Sequence, residues 1–359
     1  SERYHINIYD AFVAAGYNVT TGDFLTEFAK GYDEEKVAAG SNPMATFAYP
    51  EMEMTEDLIN QAKEGTDTAI YVISRNAGEG ADRSKTTKTG TSLDGEEFEV
   101  GDYELTELER KNLELVGKSF EHVVVVLNVG GVIDTSFMNE IEGLDALLPM
   151  SQAGQEAGTA LVDVVTGKTT PSGKLTSTWA KQYADYPASA TFARNDEDSA
   201  TEVYKEGIYV GYRYFDTFGI EPAYEFGYGL SYTEFNTQVL SVEADAEKVN
   251  VKVSVTNTGD TYAGKEVVQV YYSAPDSEAA EKEYQELGAF AKTDLLQPGQ
   301  SQEMTITFNT KDMAYYNEAE AAYMLDAGNY IIRVGNSSRN THVAAVLALD
   351  ETVKTEQLS

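Results

Sequence analysis

The chain has 359 residues, no cysteine, and 60 Asp plus Glu against 26 Lys plus Arg, for a formal net charge of -34 at pH 7. Such a charge repels nucleic-acid phosphates and anionic membranes, so no nucleic acid is expected as a partner; the acids are scattered along the chain, as on a solvated surface. Disulfides and thiolate chemistry are excluded, and His5, His122 and His342 are too dispersed for a zinc site, so neither a metal nor a cofactor is expected. The length fits two domains at about 100 to 200 residues each. The longest apolar stretch, Val123 to Ile133, is interrupted by Asn128 and two glycines, and falls short of the ~20 residues that cross a bilayer. No membrane insertion by this segment is expected. The chain opens at Ser1 directly into helix-like sequence, so any targeting segment is expected upstream; the compartment stays open, with a secreted or cell-surface location preferred.

In chain order, Tyr4 to Val19 reads as a helix. Ala69 to Ser74 reads as a buried-type strand that runs into AGEGADR, placing Glu79, flanked by Gly78 and Gly80, on a turn at the strand's carboxyl end. Open α/β sheets bind ligands beyond that end of their strands, so a loop carrying an acid there is a candidate catalytic arm. Thr106 and Glu109 form a T-x-x-E capping box before a helix expected to end near Ser119. His122 to Val129 is a second buried-type strand. Strands alternating with helical segments predict a mostly parallel sheet with helices on both faces. Ala153, Ala157, Ala160, Leu161, Val164 and Val165 make one apolar stripe on a further helix, closed by Gly167. The segment GKTTPSGK at 167–174 has its glycines six apart and no Ser or Thr after its second lysine; it fails the P-loop pattern, and its Pro171 and Gly173 predict a turn into a strand. No strand is followed by G-x-G-x-x-G, which argues against a nucleotide-binding domain.

Residues 206–235 are dense in glycine and aromatics, and the tyrosines read as packing between domains rather than as a platform for sugars. Beyond them the period changes to two. Val249, Val251, Val253 and Val255 alternate with polar residues, and 267–272, 304–308 and 330–334 repeat the pattern between the breakers Pro298-Gly299 and Ala327-Gly328. Short strands so spaced predict an antiparallel sandwich.

The motifs SRNAGEGADR (74–83), TGKTTPSGKLTSTW (166–179), YKEGIYVGYRYFD (204–216), EFGYGLSYTEF (225–235), VTNTGDTYAGKEVVQVYY (255–272) and FAKTDLLQPGQSQ (290–302), in this order, resemble glycoside hydrolase family 3, the β-glucosidases and β-xylosidases. The resemblance implies an α/β sandwich domain over 1–203, a connecting segment over 204–235, a fibronectin type III-like (immunoglobulin-like) sandwich over 236–350, and a linker or tail over 351–359. It also implies that the opening strand of the α/β domain is missing. The family's TIM-type barrel, which carries the nucleophilic aspartate, has no counterpart in these 359 residues, so the barrel is expected from the same precursor or from another chain. At Leu147 to Gly158 the sequence LLPMSQAGQEAG departs from the family's pattern of a Trp and a Pro-Gly-Gln turn.

Retaining glycoside hydrolysis needs two carboxyl groups about 5 Å apart, one attacking the anomeric carbon and the other protonating the leaving oxygen. The resemblance implies that Glu79 is the second, the general acid/base, and that the substrate is a β-linked glucoside or related oligosaccharide. Arg75, Asp82 and Arg83 share its loop and are candidates for holding its shape. The expected function is the acid/base-bearing portion of a retaining exo-β-glycosidase, inactive by itself; the alternative is a non-catalytic carbohydrate-binding or assembly module of the same fold.

Overall fold

The computed structural model describes residues 4–40, 47–76, 83–192, 200–201 and 203–358. By contacts the chain forms two compact units, Ser1–Thr166 with Lys181–Tyr183, and Gly167–Ala180 with Ala184–Ser359.

The first unit runs α1 (Ile8–Ala14), α2 (Gly22–Ala39), α3 (Glu56–Ala62), β1 (Thr68–Arg75), β2 (Lys88–Thr91), β3 (Glu97–Val100), α4 (Glu107–Ser119), β4 (His122–Val129), α5 (Phe137–Glu140), β5 (Ala146–Pro149) and α6 (Ala157–Val165). Strands β1, β4 and β5 form a parallel sheet in that order, with Thr68 opposite His122 and Val124 opposite Ala146. As the central strand, β4 is covered on both faces, and Val123, Val125, Val126 and Leu127 are fully buried. Helix α4 lays Leu113 and Val116 into this core. The expected capping box is present: the Thr106 hydroxyl accepts from Glu109 N, and the Glu109 carboxylate accepts from Thr106 N.

Two helices are shorter than their sequence patterns suggest. The first occupies only Ile8–Ala14, because Asn7 caps it by accepting from Asp10 N and Gly16 turns left-handed (φ 90°) after it. The apolar stripe from Ala153 becomes helical only at Ala157, since Gly154 adopts φ 80°. Helices α1 and α6 approach closely: a Cβ on Gly158 would strike the backbone carbonyls of Ile6 and Asn7.

The second unit contains β6 (Trp179–Ala180), α7 (Tyr212–Thr217), β7 (Pro222–Tyr224), β8 (Phe235–Ala244), β9 (Lys248–Asn257), β10 (Val267–Ser273), β11 (Glu286–Lys292), β12 (Ser301–Asn309), β13 (Tyr315–Asn317), β14 (Ala322–Leu325), β15 (Gly328–Gly335), β16 (Thr341–Leu349) and β17 (Val353–Gln357). Antiparallel sheets β12-β9-β8 and β11-β10-β15-β16 make the predicted sandwich. Its core takes Val249, Val251, Val253 and Val255 from β9, Val268 and Val270 from β10, Ile306 and Phe308 from β12, and Ile332 and Val334 from β15. The alternation in the sequence is thus the alternation of burial in the fold.

Segments assigned from motifs to the α/β domain or a connector join the second unit, because their partners are there. Gly227 N donates to Leu175 O and Leu175 N to Tyr228 O, Lys174 pairs with Glu266 at 3.1 Å, and Tyr212 stacks on Phe226 and meets Tyr271 of β10 edge-on. The strand expected after Gly173 reduces to the two residues of β6. Within 351–359, expected to be a linker or tail, β17 pairs with β14.

Candidate functional site

The predicted acid/base, Glu79, and its neighbour Asp82 lie outside the described residues. What the structure describes is how the two ends of that segment are held. Arg75, the last residue of β1, is buried. Its Nη1 and Nη2 donate to the two carboxylate oxygens of Glu109, each at 2.7 Å, in a bidentate pair. Its Nε donates at 2.8 Å to the backbone oxygen of Asp102, and Nη1 also reaches Ser74 O. Glu109 therefore closes the cap of α4 and receives the guanidinium at once. Gly101 is needed here: a Cβ at that position would fall on the Arg75 guanidinium.

The other end is held by the side chain of Asp102. Arg83 Nε donates to its Oδ1 at 2.6 Å, while Ser84 N and Lys88 Nζ both reach its Oδ2 at 2.7 Å. Burial alone would raise the Asp102 pKa, but Lys88, the Ser84 amide and Arg83 together outweigh it and hold the carboxyl below the usual range. One residue thus grips both stems of the segment, Arg75 through its carbonyl and Arg83 through its carboxylate. Tyr103 N to Ser84 O and Glu104 N to Lys85 O extend the same contact.

Arg83 keeps something in reserve. Its Nη1 and Nη2 are buried and have no hydrogen-bond partner among the described residues, and Nη1 lies near Gly131, just beyond β4, where a Cβ would be 3.5 Å away. Two buried cationic donors, with the carbonyl ends of β1 and β4 nearby, suit a carboxylate or a hydroxyl-rich ligand.

Sequence reading named Arg75 and Arg83 as candidates for holding the loop's shape, and the structure brings them onto a common partner, Asp102. It missed Asp102, Glu109 in its second role, and Lys88. The available signal for Asp102 was an acid after a glycine, four residues ahead of Thr106 of the capping box, in a chain with 60 acids. Among the described residues no group of three or more His, Cys, Asp or Glu could hold a metal ion, and no helix is long and apolar enough to cross a membrane.

A model of the glycosyl hydrolase family 3 C-terminal domain matches residues 3–212, and one of the fibronectin type III-like domain matches residues 266–338. The chain is 36% identical to beta-glucosidase A of Butyrivibrio fibrisolvens, over 98% of its own length and 45% of that protein. It is 35% identical to a beta-glucosidase of Ruminococcus albus, over 94% and 33%. Beta-glucosidase 3B from Thermotoga neapolitana, solved in complex with alpha-D-glucose, matches with a TM-score of 0.86 at 36% identity, covering 99% of this chain and 48% of that one. A beta-glucosidase from Paenibacillus barengoltzii matches with a TM-score of 0.85 at 37% identity, covering 100% and 39%. The chain spans less than half the length of each of these relatives.

Proposed function

We propose, from the premise that the chain belongs to glycoside hydrolase family 3, that it supplies the acid/base half of a retaining exo-β-glycosidase that removes terminal β-D-glucosyl residues. The observation that carries this reading is the double grip on segment 77–82: Arg75 on one side and Arg83 on the other converge on Asp102, at the carboxyl end of β1. A catalytic arm needs anchored ends, and the Gly78 and Gly80 that flank Glu79 in the sequence are residues with the widest choice of backbone conformation.

In this mechanism Glu79 protonates the glycosidic oxygen as the bond to the anomeric carbon breaks. It then takes a proton from the water that releases the sugar. The nucleophile is an aspartate on a TIM-type barrel supplied from outside these 359 residues. A general acid must hold its proton near neutral pH, which requires a surface that excludes water and brings an anion close. The barrel provides that surface, so the chain alone is inactive. The names of the relatives support glucose as the sugar.

The test uses aryl β-glucosides with the chain alone and with the chain joined to its barrel. Turnover is expected only with the barrel, and Glu79→Gln is expected to lower it by about 10² to 10⁴ on an unactivated glycoside. Unchanged kinetics in that variant would remove Glu79 from the mechanism. Sugar binding by the chain alone, without any gain on adding the barrel, would favour a binding module.

A further inference from the structure

Three short strands of the second unit form an antiparallel sheet in the order β13-β14-β17. Tyr316 lies directly opposite Tyr323, and Tyr323 directly opposite Glu356. Residues opposite one another on antiparallel strands point to the same face, so the two rings and the carboxylate stand in one row across the sheet. The ring centroids are 5.4 Å apart with the planes at 59°, and Tyr316 and Tyr323 are 43% and 39% exposed.

Other tyrosines of this unit are engaged in the fold. Tyr315, beside Tyr316, has Lys282 Nζ over its ring at 3.3 Å from the centroid and donates to Asp326 Oδ1. Tyr272 donates to Glu286 Oε2, and Tyr330 to Asp326 O. In contrast, neither hydroxyl of the exposed pair, nor the Glu356 carboxylate, has a hydrogen-bond or ion-pair partner among the described residues. The sheet beneath them is nonetheless braced. Ala322 and Leu325, at the two ends of β14, are buried. Thr355 Oγ1 donates to Tyr323 O, and Gln357 Nε2 reaches the carbonyls of Glu320 and Ala321 in the turn between β13 and β14. Rings carried on a fixed sheet lose little freedom when a ligand settles on them.

We infer that Tyr316, Tyr323 and Glu356 form a surface binding site for a chain of β-linked glucosyl residues. The chemistry of the row selects this class. A β-glucosyl ring holds its hydroxyls equatorially, which leaves C–H groups on its two faces and hydroxyls around its edge. The C–H faces suit the electron-rich faces of aromatic rings, and the edge hydroxyls can donate to a free carboxylate and exchange hydrogen bonds with the phenol oxygens. Two rings side by side can be covered by neighbouring units of one sugar chain. A formal net charge of -34 disfavours anionic ligands, whereas a neutral glycan meets no such repulsion. The choice of glucose rests on the β-glucosidase reading proposed above; the stacking surface itself does not.

The experiment titrates the chain with cellohexaose, laminarihexaose and, as an α-linked control, maltohexaose, and follows backbone amides by two-dimensional NMR. Amides of β13, β14 and β17 are expected to shift with at least one β-linked hexaose and not with maltohexaose. Tyr316→Ala and Tyr323→Ala are each expected to weaken binding about tenfold, the loss that accompanies one stacked ring. Tyr316→Phe and Tyr323→Phe keep the rings and should bind within about threefold of the parent, while Glu356→Gln should bind about fivefold more weakly. If an alanine variant disturbs the small sheet, the parent titration and Glu356→Gln still decide. No shift with either β-linked hexaose, equal shifts with maltohexaose, or undiminished binding after loss of both rings would each overturn the inference. Binding is read in the chain alone, so its absence would leave the barrel-dependent turnover test untouched, and a failed turnover test would leave the binding result standing.

Discussion

The two units differ in how completely each buries its own elements. In the second, β9 hides every other residue completely, and the valines of β9 and β10 meet residues of β12 and β15 in one continuous core. In the first, β4 buries Val123, Val125, Val126 and Leu127 completely, yet α1 buries only Ala11 and α2 only Gly22 among their described residues. The apolar faces of these two helices line a cleft instead. A sandwich of two antiparallel sheets closes on itself, whereas a parallel sheet depends on crossover partners along both edges. The candidate site lies in the first unit, and its precision comes from ion pairs rather than from apolar packing.

That contrast is open to measurement. The largest effect on stability is expected from Arg75→Met. Leaving Glu109 buried without its guanidinium should destabilise the first unit by about 3 to 5 kcal/mol, seen as an earlier first transition in denaturant with the second unchanged; a shift in both transitions would mean that the units do not unfold separately. The converse substitution, Ile332→Ala in the core of the sandwich, should cost about 2 to 5 kcal/mol and move only the second transition. Thr106→Ala removes a cap and should cost about 1 kcal/mol in the first unit, with Glu109 still able to receive Arg75.

The smallest effect concerns pH. The Asp102 pKa is lowered in the fold, so its contribution is present above the unfolded value of about 3.9 and is lost as pH falls through the lower, folded value. The Ser84 amide, which donates to this carboxylate, should therefore stay protected at pH 5 to 7 and lose protection in strong acid, in a two-dimensional NMR exchange series corrected for the intrinsic rate. Asp102→Asn should show the weaker protection already at neutral pH. Equal protection in both proteins would show that the carboxylate's charge does not hold the stem.

Much of the fold was legible because its signals are local. The run His122 to Val129, short and rich in β-branched residues, reads as a strand covered on both faces, and Thr106 with Glu109 announces a helix start through atoms three residues apart. Alternating valines from Val249 fix one face of a sheet, since side chains in a strand point to opposite sides in turn. The ordered motifs added the family, and with it the place of Glu79.

Other features were decided only when distant segments met. No spacing in the sequence brings Asp102 to Arg75 and Arg83, which are 27 and 19 residues away, and nothing local assigns residues 167–180 to the sandwich rather than to the parallel sheet beside them in sequence. The cleft beside α1 and α2 belongs to the same class, because its walls come from segments far apart in the chain. Periodicity and capping state which face of an element is apolar; which partner covers that face is settled by long-range contacts alone.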